Sequence, residues 1–475
     1  MIKKNYYSKF MFVVSITILL YTLYRAEYVN SGHYSGYYLP YYIFSLTLLS
    51  LSILIRYLSK NISTIIIMSI NTIILLAYSS EIYFSYNPNA YFTPIQGVLE
   101  FKTITAKKKN KSYKKLEGRN YDTRKKYDVY KELKKTNKNI TLFVPPASHI
   151  YNTKINPLSG ISNSETIVCN ESGYFNRYKS DRFGFNNPDK EWDKKLVKYV
   201  LVGDSYIHGA CVNPPNDISS VLRNFTNKKA VLNLGYSGNG PYIQYATLRE
   251  YLDNNAEHIL FFFYEGNDIT DLEIQQNSVI LTSYTSNLDY SQNLKKKQFQ
   301  IDKVNKDMIL SEEKQRLIEV NSKDRFNLFK IIKLSNLRTL LAIKKGKRAG
   351  AIQKNIDDLS FSSGKTLSYY YDILKLTKKL TTEKNATLHL VYLPSYPRYR
   401  ITTGLGGNRG KLIHKKIKLM ADLLDINFID IKADVFDKEE NPLKLFPFEL
   451  WGHYNIEGYF KVATRLNEIL KDYNK

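Results

Sequence analysis

The chain has 475 residues, 43% of them hydrophobic, and a formal net charge of +25. That size and apolar content exclude a disordered chain and leave room for a membrane anchor plus a large soluble core. Its seven histidines and two cysteines show no cluster with metal-ligand spacing, so neither a metal nor another cofactor is expected. No sequence like a nucleic-acid-binding module accompanies the positive charge, so nucleic acid is not an expected partner.

Three long apolar runs open the chain, at 10–24 (FMFVVSITILLYTLY), 38–58 and 62–84. A helix of about 20 such residues spans a bilayer, so the region 1–86 reads as an anchor of three transmembrane helices. No small-residue cleavage site follows the first run, which argues against a signal peptide. Lys3, Lys4 and Lys9 precede the first run, Arg56 stands near the end of the second run, and Lys60 lies between the second and third. Positive flanks stay in the cytoplasm, so everything beyond residue 84 is expected outside it, in a multi-pass protein of the inner membrane. The lipid bilayer is thus an expected partner.

Residues 87–197 read as a basic linker and a small α+β segment. Lysines crowd 102–138, where they form a solvated face or attract anionic headgroups or an acidic glycan. "YDTRKKYDVYKELKKTNKNITLFVPP" predicts a charged helix and then a short strand. Turn residues between the aromatic runs of 166–187 predict a small β element. Cys169 and Cys211 can form one disulfide in an exported domain, although spacing alone does not decide whether they meet.

From 198 to 475 the rhythm changes. Short apolar runs at 199–202, 230–234, 258–264, 387–393 and 426–431 are separated by helix-length segments. Strands alternating with helices predict an α/β domain with a parallel sheet covered on both faces. A lysine-rich helical insertion at 275–363, including the amphipathic "DRFNLFKIIKLSNLRTLLAI", interrupts it as a lid or a membrane-facing flank.

In such a sheet ligands gather at the carboxyl ends of the strands. There the sequence supplies "GDSYIHG" with Ser205, "NLGYSGNGP" with Gly238, "YEGNDI" with Asn267, and "ELWGHYNIEGY" with His453. A serine hydroxyl becomes a useful nucleophile when an imidazole takes its proton. A backbone N–H in a glycine turn and an asparagine amide suit the oxyanion that forms. Each residue also has a plainer role: Ser205 and Asn267 as helix caps, Gly238 in a tight turn, His453 as packing beside Trp451.

Taken in order, these blocks resemble the SGNH (GDSL-type) hydrolase superfamily over roughly 198–272 and 385–472. The resemblance implies a flavodoxin-like parallel sheet and metal-free ester hydrolysis or acyl transfer. It implies Ser205 as nucleophile, His453 as base, and Ser205, Gly238 and Asn267 as the oxyanion hole. The family usually carries an aspartate three residues before its histidine, where this chain has Leu450; Glu449 is the nearest carboxylate. Pro447 and Gly452 predict a loop in which Glu449 need not face the imidazole. The expectation is therefore a Ser205–His453 dyad oriented by main-chain acceptors, with Glu449 secondary. His208, on the first turn after Ser205, is a candidate for a structural or substrate-lining role, and Arg398 is a candidate substrate-lining residue for an anionic group. The resemblance points to a membrane-anchored, extracytoplasmic serine esterase removing O-acyl (acetyl) groups, with a cell-surface glycan or another ester as substrate. The alternatives are an O-acyltransferase served by a membrane acyl-transfer partner, and an inactive binding or assembly protein.

Overall fold

The computed structural model describes residues 2–29, 35–86, 108–115, 120–150, 154–226, 229–253, 255–322, 364–400 and 404–473, with 331, 334 and 337. The amphipathic sequence expected at 324–343 lies almost wholly outside them. The chain divides into two units: Met1–Ile95 with Arg325–Ala351, and Gln96–Asp324 with Ile352–Lys475.

The first unit contains helices Ile2–Leu23, Ser35–Tyr57 and Lys60–Tyr86. Among the described residues two stretches are long and apolar enough to cross a bilayer, Tyr6–Tyr28 and Lys60–Tyr83. This corrects the expectation of three. Within the middle helix the described apolar stretch, Tyr41–Tyr57, is shorter. Polar groups join these helices: Arg56 Nε donates to Ser8 Oγ at 2.8 Å, and Tyr7 OH to Asn71 Oδ1 at 2.7 Å.

The second unit holds two sheets. The larger is fully parallel, with β4 (Val197–Val202), β5 (Ala230–Asn233), β6 (Ala256–Tyr264), β7 (Thr387–Leu393) and β8 (Asn427–Asp430) in the order β5-β4-β6-β7-β8. The strands are apolar runs because both faces are covered, and successive side chains serve opposite cores. Val200 and Val202 of β4, with Ile259, Phe261 and Phe263 of β6, pack in one core. That core includes Ile243 and Leu248 of helix Pro241–Tyr251, and Tyr370 and Ile373 of helix Gly364–Glu383. Tyr199, Leu201, Leu260 and Phe262 point to the other core, with Val462 and Leu466 of helix Ile456–Asp472. After β4 the chain goes first to β5 on one side and then to β6 on the other. The switch in direction, where α/β sheets open a crevice, therefore lies at the carboxyl end of β4, immediately before Ser205.

The smaller sheet is β1 (Ile140–Leu142), β2 (Glu165–Ile167) and β3 (Arg177–Lys179), preceded by helix Lys126–Lys134. β1 and β2 run parallel, β2 and β3 antiparallel. Ile140, Leu142, Ile167 and Tyr130 form its own core. In the region expected to be an insertion, helices Val279–Ser286 and Gln298–Ser322 are described.

Candidate active site

Ser205 opens a single helical turn, Ser205–His208, directly after β4. The Asp204 carboxylate caps that turn by accepting the Tyr206 N–H at 3.0 Å. The turn lies tight on the sheet: a Cβ on Gly203 would meet Ile207 Cγ1 at 2.5 Å. Gly209 ends it with φ +77°, a conformation glycine adopts without strain. The serine hydroxyl is thereby set at the sheet's carboxyl edge.

His453 stands two residues before Asn455, which caps helix Ile456–Asp472. Its Nε2 lies 2.8 Å from Ser205 Oγ, and its ring packs on Tyr206 with centroids 4.9 Å apart. Its Nδ1 lies 3.1 Å from Oε2 of Glu171, and the same oxygen accepts the His453 backbone N–H at 2.5 Å. With the ring proton on Nδ1, Nε2 is free to accept the serine proton. Glu171 lies between β2 and β3, 282 residues before His453. Gly452 makes room for it, since a Cβ there would stand 2.6 Å from Glu171 Oε2.

The expectation of main-chain orientation with a secondary Glu449 is corrected by this contact. Glu449 is exposed, sits in a turn with φ +56°, and offers its carbonyl to Tyr396 OH at 3.1 Å. The Pro447–Gly452 loop turns it away while bringing His453 to Glu171. Nothing near His453 in the sequence signals Glu171. A Cys169–Cys211 bond, had it been fixed in advance, would have pointed there, because Glu171 is two residues past one cysteine.

Electrostatics around the pair are mixed. Burial pushes the His453 pKa down, but the charge and hydrogen bond of Glu171, with Asp204, raise it overall; Lys109 opposes them. Burial raises the Glu171 carboxyl, and the His453 charge and hydrogen bonds bring it below the ordinary glutamate range. Lys109 donates to the Trp451 carbonyl at 3.2 Å.

Gly238 follows β5 with φ +85°, the left-handed region a tight turn here requires. Among the described residues its N–H enters no backbone hydrogen bond. Asn267 follows β6 and begins helix Asp268–Gln275. Its Nδ2 donates to Asp271 Oδ2 at 2.8 Å, leaving a second amide proton for another acceptor. Burial, then the charge of Asp204, pushes Asp271 up to about 7.

His208 is buried, with Nδ1 2.9 Å from Ser237 Oγ and its ring against Tyr236. Burial, with the like charge of His453, pushes it down to about 3, so it stays neutral and structural. Arg398 is corrected as an anion-binding residue. Its Nε lies 2.9 and 3.0 Å from the two carboxylate oxygens of Glu265, and Tyr392 OH also reaches that carboxylate. The Arg398 side chain is 6% exposed, and its charge is spent inside the protein.

No protein-family model matches this chain, and no curated protein matches it either. The structure is similar to solved GDSL-type lipolytic proteins. A member of that family from Veillonella parvula is 12% identical, covers 58% of this chain and 99% of its own, and has a TM-score of 0.31. Phospholipase A1 from Streptomyces albidoflavus is 14% identical, with 57% and 99% covered and a TM-score of 0.32. An acetylxylan esterase from Geobacillus stearothermophilus is 12% identical, with 58% and 95% covered and a TM-score of 0.30. The roles of residues in this chain rest on its own contacts.

Proposed function

We propose that this protein is a membrane-anchored serine esterase that removes O-acyl groups from a cell-envelope carbohydrate. The observation that carries the reading is the relay Ser205 Oγ, His453 Nε2, His453 Nδ1, Glu171 Oε2, with separations of 2.8 and 3.1 Å. In the proposed mechanism His453 takes the Ser205 proton as Oγ attacks the ester carbonyl. The oxyanion is held by the Ser205 and Gly238 N–H groups and by the Asn267 amide. The tetrahedral adduct collapses to an acyl-Ser205 ester, and imidazolium His453 protonates the departing alkoxide. Water, deprotonated by His453, then adds to the acyl carbon; the bond to Ser205 Oγ breaks, the acid departs, and His453 returns the proton to Oγ. Attack by a sugar hydroxyl in place of water would make the same machinery an acyltransferase.

An extracytoplasmic placement is supported by the Cys169–Cys211 disulfide, a bond characteristic of oxidising compartments. With Lys3, Lys4 and Lys9 inside, two crossings would return the chain to the cytoplasm, so the placement needs Tyr41–Tyr57 to cross as well. Full-length protein in detergent should hydrolyse p-nitrophenyl acetate, and Ser205→Ala should abolish the turnover. Equal turnover by the two proteins would refute the reading.

A further inference from the structure

The disulfide Cys169–Cys211 joins two segments that each carry one member of the Ser205–His453–Glu171 relay. Cys169 follows β2 and precedes Glu171 by two residues; Cys211 lies six residues beyond Ser205, just past the Gly209 turn. The bridge holds their Cα atoms 5.1 Å apart. Cys211 Sγ stands 3.8 Å from His453 Nδ1, the nitrogen that Glu171 engages. One donor atom from each of Glu171, Cys211 and His453 lies within 4.8 Å of the others.

Other bonds also hold the Glu171 loop, two of them to the segment that carries Cys211. Asn170 Nδ2 donates to the Asp122 carbonyl at 2.7 Å, and Tyr121 OH to the Asn170 carbonyl at 3.1 Å. At the loop's far end, Asn176 Nδ2 donates to the Val212 carbonyl at 3.0 Å. Arg177 N–H donates to Asn213 Oδ1 at 2.9 Å. These tether Asn170 to the 121–122 segment and the β3 end of the loop to residues 212–213, and Asn176 Oδ1 also accepts the Cys169 N–H at 3.0 Å. The disulfide is the covalent tie on the Glu171 side of the loop, where an error of about 1 Å costs on the order of a hundredfold in rate.

We infer that Cys169 and Cys211 are a positioning pair: their bond holds Glu171 on His453, so the relay is complete only in the oxidised protein. The inference rests on the reading of Ser205 and His453 as the reacting pair. A dithiol reductant breaks one S–S bond, leaves a thiol on each cysteine, and is itself oxidised to a disulfide, two electrons and two protons passing to the protein. Glu171 is then free to leave the imidazole.

The test uses the full chain in detergent micelles and reads His453 without relying on turnover. Histidine-labelled protein is titrated by nuclear magnetic resonance, with His453 assigned from a His453→Gln variant. The groups that face this ring are Glu171, Asp204, Lys109 and His208. In the oxidised protein Glu171 holds the His453 pKa up, and in Glu171→Gln it should fall. Reduction with dithiothreitol, or Cys169→Ser with Cys211→Ser, should lower it in the same direction in the wild type and leave it unmoved in Glu171→Gln. The kcat/KM for p-nitrophenyl acetate should fall at least about tenfold on reduction of the wild type and little in Glu171→Gln. An unchanged His453 titration on reduction overturns the inference. An equal loss in both backgrounds also overturns it, since the bond would then serve the fold as a whole. Absence of Ser205-dependent turnover would instead strike the esterase reading, while the His453 titration still decides the positioning role.

Discussion

Replacing Glu171 by Gln keeps the shape of the side chain and removes its charge. During attack His453 becomes an imidazolium beside a carboxylate 3.1 Å from Nδ1. For charges about 4 Å apart at an effective dielectric near 20, that attraction is worth about 4 kcal/mol. Glu171 and His453 side chains are each 23% exposed, and water reduces the figure. A loss of about 2.7–4 kcal/mol, or roughly one hundred- to one thousandfold in kcat/KM, is expected. The pH profile should also move. His453 acts as a base only when neutral, so activity is lost as pH falls through its pKa. Glu171 raises that pKa; without it burial dominates, and the acid limb shifts to lower pH. The assay is kcat/KM for p-nitrophenyl acetate between pH 4 and 9, with Glu449→Gln in parallel. Glu449→Gln should stay within about twofold of wild type, as expected of an exposed surface carboxylate. A Glu171→Gln enzyme within threefold of wild type with an unmoved limb would refute the reasoning, as would a deeper loss in Glu449→Gln.

A smaller perturbation should act through the same carboxylate. In Gly452→Ala the new Cβ meets Glu171 Oε2 at 2.6 Å, so kcat/KM should drop about ten- to one hundredfold with the acid limb moving down; a wild-type profile would contradict this. Arg398→Met strands the buried Glu265 carboxylate, which should cost about 3 kcal/mol and lower Tm by roughly 5–10 °C without changing the pH profile. An unchanged Tm would mean that Arg398 is not a structural partner. A reporter active only outside the cytoplasm, fused after residue 100, should be active; activity of a cytoplasmic reporter there would refute the extracytoplasmic placement.

What was legible in the sequence follows how local its cause is. The five strands of the large sheet stand out because burial on both faces makes each a short apolar run, and the residues after three of them are Ser205, Gly238 and Asn267. His453 was legible from its place just before the last helix. Glu171 was not, because its partnership depends on packing the small sheet beside the β4 turn, a contact across 282 residues. Arg398 was misread for a similar reason. A charge after β7 suggests a ligand, but the β6–β7 register pairs Tyr264 with Leu393 and brings Glu265 alongside. Only then does the arginine have an internal partner.

The central claim is that Ser205 is a nucleophile activated by His453. Full-length protein treated with a fluorophosphonate and weighed intact tests it most directly. One adduct should form, map to Ser205, disappear in Ser205→Ala, and form far more slowly in His453→Ala. An unlabelled wild type, or an adduct that persists in Ser205→Ala, would contradict the account.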